Sequence, residues 1–427
     1  MRLFFGRGVA VENLKRPTLE GKIETLPPSG YIAVPLTTYG KSELETTVRV
    51  GQEIKKFAPL AMSKSQNHCI VSPVTGTLEG VEVMEHPLLG QIPCAVMGVS
   101  KDDVVPKPYG RLRDKDLNRE KIIAVAKWAG IVDEYDGKPL YRKLREYAKS
   151  GVRLVVANAV DDTPYISSGI ATLLERSEEV ADGLELIRST CPDAERLIAV
   201  YHPEHFPALR KMNKIQGISV LKVRGKYPVW PTLSKYLEHY GKTERVGVQA
   251  CAALSRAVRK GESQCDCVVT VAGDGVKRAR NLRVGLGTPV SHILYSCGLS
   301  RKTTRIILGS ALNGVSIEEM TVPLVASCRG ILAFQGDMGP RACACIGCGR
   351  CVDVCPAGLY PGIIAKLHER GEKDQVRRYG VERCIGCGAC SAVCPSRLEL
   401  YAMIQNDLYE LEKQKEQAAR AEGEEES

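Results

Sequence analysis

Aromatic residues are scarce in this chain: two tryptophans and five phenylalanines stand among 427 residues, and aromatics make up 5% overall. A large aromatic core is excluded, and the 40 glycines favour turn-rich β and α/β modules, about two to four domains in all. No apolar run approaches the roughly 18 residues needed for a membrane-spanning helix. The opening stretch MRLFFGRGVAVENLKRP has too short an apolar run for a signal peptide. No glycine-rich dinucleotide motif follows a strand, because GDG and GLG, within Val269–Pro289, read as separate turns. Nucleic-acid-binding motifs are absent too.

What the chain does have is cysteine and positive charge. Seventeen cysteines without an export signal point to a reducing, cytoplasmic setting. The formal net charge is +9, with basic clusters at Arg210–Lys214 and Val276–Val284. Such clusters fit a solvated basic surface or a docking face for an acidic protein partner.

Nine of the cysteines fall between Cys343 and Cys394. There the string CIGCGRCVDVCP, from Cys345, returns 39 residues later as CIGCGACSAVCP, from Cys384. Cys-x2-Cys-x2-Cys wraps three thiolates round one side of a small inorganic core, and a fourth cysteine followed by proline leads the chain away toward a second core. Gly347, Gly349, Gly386 and Gly388 let the backbone turn tightly between the ligands. This spacing assigns Cys345, Cys348, Cys351 and Cys394 to one [4Fe–4S] cluster, and Cys384, Cys387, Cys390 and Cys355 to another. A zinc site would use paired Cys-x2-Cys arms instead. Cys343 reads as a shielded thiol or a spare ligand. Two such clusters imply an electron-transfer protein.

The patterning upstream suggests five segments. Residues 1–112 read as a β domain, where VRVGQEI and SPVTGTL resemble the barrel-sandwich fold of biotinyl and lipoyl carriers. Lys64 in MSKSQ lacks the context of a modified carrier lysine, and adjacent His68 and Cys69 read as a packed pair. Residues 113–245 alternate helix and strand patterns: a helix in NREKIIAVAKWAGIV, strands in GVRLVVANAV, AERLIAV and GISVLKV, one amphipathic helix in TLLERSEEVADGLELIRST and a short one in PALRKMNKI. That is the β-α-β order of a doubly wound sheet. Residues 246–335 read as strand-rich, with Cys265 and Cys267 as buried thiols. Residues 336–405 carry the cysteine repeats, and residues 406–427 form a charged helical or disordered tail.

In this order of modules the chain resembles, over nearly its full length, the RnfC-like family, which supplies the C subunits of Rnf electron-transport complexes. The strings AGIV (Ala129–Val132), LLERSEEV (Leu173–Val180), VTVAGDGVK and NLRVGLGTP (Val269–Pro289), ILGSALNG (Ile307–Gly314) and the cysteine repeat carry the likeness. The resemblance implies a barrel-sandwich hybrid, a Rossmann-like α/β domain similar to the flavoprotein subunit of NADH dehydrogenase, a β-grasp (SLBB-like) module and a bacterial-type dicluster ferredoxin domain. It implies a ferredoxin:NAD+ oxidoreductase-type function with FMN or NAD(H) as further cofactors. Implied partners are ferredoxin, flavodoxin or membrane Rnf-type subunits, with peripheral association at the cytoplasmic face of the membrane. The flavin or NADH site would include Asn158, Asp161 and Tyr165, which match the family string in NAVDDTPY. The family's glycine-rich loop after AGIV is replaced by DEYDGKPLYRKL, Asp133–Leu144. Its acidic residues would repel a phosphate. A relay adaptor without its own flavin, or a reductase for a corrinoid, are the alternative functions.

Overall fold

The computed structural model describes residues 2–3, 6–38, 42–63, 69–86, 90–100, 112–202, 206–210, 212–336 and 341–425. Lys64 and His68 lie outside them. The chain forms two units: Asn13–Val223 with Ser234–Gly336, and Arg2–Glu12 with Arg224–Leu233 and Asp337–Ser427.

The first unit holds three sheet systems. In the N-terminal one, Tyr31–Pro35, Gly90–Val99, Gly76–His86 and Glu53–Ile54 pair antiparallel in that order. A smaller sheet joins Glu45–Thr46, Pro59–Met62 and Cys69–Val71. Ile32, Val34, Leu60, Leu78 and Met97 from both sheets fill one core, as alternation along half-buried strands requires.

The second system is a parallel sheet. Leu154–Ala159 lies between Glu195–Tyr201 and Thr243–Gly247, and Ile218–Gly225 borders Glu195–Tyr201. Every residue of Leu154–Ala159 is buried, which explains why it reads as an unbroken apolar run: helices cover both faces of such a strand. Two expectations need correction here. The single helix read in TLLERSEEVADGLELIRST is two, Ser168–Glu175 and Ser177–Ser189, because Arg176 leaves helical geometry at φ −127°, ψ 31°. PALRKMNKI gives only the four-residue helix Pro207–Arg210 before a strand at Lys214–Ile215.

The third system is a mixed sheet in the order Glu24–Thr25, Arg280–Gly285, Asp266–Ala272, Gly330–Gln335, Thr303–Leu308 and Val315–Ile317. Helix Val290–Ser296 buries Ile293 and Leu294 with Val269, Val271 and Ile331. Ahead of it, helix Val248–Lys260 corrects the strand-rich reading of this stretch.

In the second unit, helices Arg350–Val354 and Ala389–Ala392 follow the glycine turns of the two repeats. Helices Pro361–Glu369 and Lys373–Arg378 connect them. Leu359, Ile364, Val376, Val381, Ile404 and Leu411 form the core. Ile404 and Leu411 belong to helix Leu400–Glu425, so the charged tail begins as a packed element. Arg2–Leu3 pairs in parallel with Arg224–Gly225, and Val9 bridges Tyr227.

Candidate functional site

The second unit contains two cavities walled by cysteine. Cys345, Cys348 and Cys351 line one together with Cys394, Ile346, Tyr360, Ile363 and Leu400. Cys384, Cys387 and Cys390 line the other together with Cys355, Leu359, Ile385, Tyr401 and Ile404. The fourth cysteine of each repeat therefore sits at the cavity of its twin. The local cause is visible at Cys355, where the backbone turns extended (φ −71°, ψ 113°) at the end of helix Arg350–Val354. Pro356 has no N–H with which to continue a helix.

Backbone N–H groups are aimed at the sulfurs. Leu359 N donates to Cys355 Sγ at 3.4 Å, and Gly386 N to Cys384 Sγ at 3.4 Å. The two cavities differ in access. Cys348 is exposed and Cys355 buried. Burial, reinforced by neighbouring thiols, pushes Cys387 up to about 11 and Cys390 up to about 12. These groups need a cationic partner to exist as thiolates at neutral pH, and loading would release protons.

Among the described residues no group of three or more His, Cys, Asp or Glu side chains gathers tightly enough for a single metal ion. The thiols ring a space instead, which suits a polynuclear iron–sulfur core better than a lone zinc. Gly362 borders that space, since a Cβ there would lie 3.5 Å from Cys351 Sγ and 4.0 Å from Cys345 Sγ. Sequence spacing had no means of finding it. Cys343 is exposed and does not line either cavity; its N–H donates to Ser396 O at 3.0 Å.

Asn158, Asp161 and Tyr165 belong to the first unit, and their polar groups engage the protein itself. Asn158 Oδ1 accepts from Val160 N at 3.0 Å. Asp161 accepts from Ile170 N at 2.9 Å and pairs with Arg329 at 3.0 Å. Burial pushes the Asp161 carboxyl up, against the pull of Arg329. Arg329 also stacks on Tyr135, 4.1 Å from the ring centre. Tyr165 has φ 67° and meets Phe334 edge-on at 5.6 Å. None of the three lines the nearby 160 Å³ cavity, whose walls include Glu134, Tyr135, Ser310, Asn313 and Arg329. Lys15, fully buried and bonded to Thr163 O, and Arg329 are key residues here that no motif announced. Burial brings Lys15 down to about 8, with Asp161 and Asp162 opposing. Cys69, Cys265 and Cys267 are buried free thiols.

A family model described as 4Fe-4S dicluster domain matches residues 344–398, and one described as RnfC Barrel sandwich hybrid domain matches residues 3–102. The C subunit of an ion-translocating oxidoreductase complex from Rhodobacter capsulatus is 29% identical over 385 residues, covering 84% of this chain and 74% of that protein. The chain is similar to RnfC subunits over most of its length. It is also 24% identical to the C subunit of a proton-translocating ferredoxin:NAD(+) oxidoreductase complex from Clostridium ljungdahlii, over 87% of this chain and 85% of that one. The corresponding protein of Serratia proteamaculans is 27% identical, and the match takes in 88% of this chain but 57% of that protein. Among solved structures, an NAD+-reducing [NiFe]-hydrogenase in the H2-reduced state matches 69% of this chain and 61% of its own at a TM-score of 0.46 and 12% identity. A likeness that distant carries no argument about function.

Proposed function

We propose that this RnfC-like chain is the iron–sulfur electron-transfer subunit of a ferredoxin:NAD+ oxidoreductase-type complex. The observation that carries the reading is the pair of cavities, each walled by three cysteines of one repeat and one of the other. Cys345, Cys348, Cys351 and Cys394 would hold one [4Fe–4S] cluster; Cys384, Cys387, Cys390 and Cys355 would hold the second. Bound there, the clusters supply one-electron redox chemistry. The chain's own contribution is to fix the thiolates, to donate N–H groups to sulfur from Leu359 and Gly386, and to exclude water with apolar walls such as Leu359 and Ile404. Hydrogen bonding and solvent access of this kind set reduction potentials.

In this reading the parallel sheet is the Rossmann-like domain of the family and the mixed sheet its β-grasp module. No helix among the described residues is long and apolar enough to cross a membrane. The protein would work at the cytoplasmic face through Rnf-type partner subunits, with ferredoxin or flavodoxin as exchange partners. A relay with no flavin or nicotinamide site of its own is the version favoured by Glu134 and Asp133, which are buried where the family carries its glycine-rich loop.

The test is anaerobic purification followed by iron and sulfide analysis and EPR of the reduced protein. About eight irons per chain and two interacting [4Fe–4S] signals are expected. Zinc in their place, or a single cluster, would refute the assignment.

A further inference from the structure

The family resemblance calls for a nucleotide-type cofactor held by a glycine-rich loop after Ala129–Val132, and the residues present do not fit such a group. Helix Val248–Lys260 starts directly after the parallel strand Thr243–Gly247. The first N–H groups of a helix have no partner within it, and with the helix dipole they make an anion site suited to phosphate. Gly247, the residue before this helix, supplies no side-chain cap of its own.

The group at that end comes from the chain, a carboxyl that burial and the neighbouring Asp133 push up to about 8 against the helix N–H groups it meets. Glu134, 2% exposed, accepts from Gln249 N at 2.8 Å on one carboxyl oxygen and from Ala250 N at 3.1 Å on the other. Asp133 accepts from Gly247 N at 3.2 Å. The loop is tethered behind them, since the buried Lys143 ammonium bonds Asp133 at 2.6 Å and Asp136 at 2.8 Å. The closeness shows at Gly247, where a Cβ would lie 2.0 Å from Glu134 Oε2. A position that cannot admit a methyl group beside this carboxyl cannot admit a phosphate. The cavity Glu134 does border measures about 160 Å³, short of the roughly 300–1,000 Å³ usual for an organic ligand.

We propose that the Glu134 carboxyl is a resident group that occupies and closes the phosphate-accepting end of helix Val248–Lys260, so that no flavin or nicotinamide nucleotide binds there. Combined with the electron-transfer reading above, on which only this step rests, electrons then enter and leave the chain through protein contacts.

The experiment compares the full chain with E134A and E134Q. FMN binding is followed by quenching of its fluorescence, and inorganic phosphate and formate binding by thermal shift. The unchanged chain and E134Q, which keeps the acceptor oxygen and the shape, should show no saturable binding of FMN or phosphate. E134A should lose thermal stability and regain it in formate or phosphate, because a small anion refills the vacated site. Stoichiometric FMN binding by the unchanged chain would overturn the proposal. So would an E134A protein whose melting temperature ignores both anions, or one that retains the full stability of the parent. Iron content and EPR report the clusters separately, so failure of this proposal is distinguishable from failure of the electron-transfer reading.

Discussion

The Tyr227 phenol donates a 2.6 Å hydrogen bond to the backbone carbonyl of Cys387, across 160 positions of sequence. Tyr227 is 4% exposed and exchanges two 2.8 Å backbone hydrogen bonds with Val9. A bridged segment distant in sequence thus braces the turn that carries a cluster cysteine.

Replacing that phenol by phenylalanine should loosen the turn. A buried hydrogen bond of this type contributes about 1 kcal/mol, and the Cys387 carbonyl would be left without this donor. Y227F should release iron from the second cluster to a chelator roughly fivefold faster, with the first cluster unaffected. Equal release from both clusters, or none beyond the parent, would remove Tyr227 from the account.

Crossed ligation gives a second expectation. C355S and C387S should produce the same EPR change, loss of the second cluster, although they lie in different repeats. C394S should pair instead with C348S. If C355S were to abolish the first cluster, each repeat would be serving only itself.

Gly362 supports a third. Valine there places methyl groups beyond a Cβ that already lies 3.5 Å from Cys351 Sγ. G362V should lower iron from about eight to about four per chain and leave the second cluster's signal intact. Full iron content in the variant would show that the cavity wall yields.

These residues also mark how far the sequence could be read. The cysteine repeat is legible because ligation imposes short, local spacing. Leu154–Ala159 is legible because burial on both faces leaves only apolar and small residues, apart from Asn158. Tyr227, Glu134 and Arg329 act through partners distant in the chain, and nothing in their own neighbourhood announces the contact. The break at Arg176 lies inside a continuous helical pattern, so periodicity runs straight across it. Helix Val248–Lys260 buries Ala250, Ala252, Ala253 and Ala257 beside Leu254. Its polar residues Gln249, Ser255, Arg256, Arg259 and Lys260 gather on one side at helical spacing, so the amphipathic signal is present, and the strand-rich reading of 246–335 passes over it. The acidic loop at Asp133 is readable as unfit for phosphate, but only the fold reveals that its carboxylates reach a helix end.

The fourth expectation concerns acid. Burial works to raise the Asp266 carboxyl, yet Arg256 at 3.2 Å and Arg283 at 2.6 Å outweigh it and bring the group down to about 2. A carboxylate whose folded value lies below its unfolded value stabilises the fold above the unfolded value. That contribution fades as pH falls from about 4 toward 2 and is worth about 2 kcal/mol at neutral pH. D266N should cost roughly that much in urea unfolding at pH 7 and flatten the acid limb followed by far-UV circular dichroism. An acid limb of unchanged slope would locate the sensitivity elsewhere.

Exchange of a single cysteine between the repeats also shapes maturation. A chain that has received one inorganic core has already drawn the two loops together, and so has arranged most of the recipient for the other. Insertion should therefore be cooperative: during reconstitution the population should divide into full and empty molecules, with half-filled ones scarce at every stage.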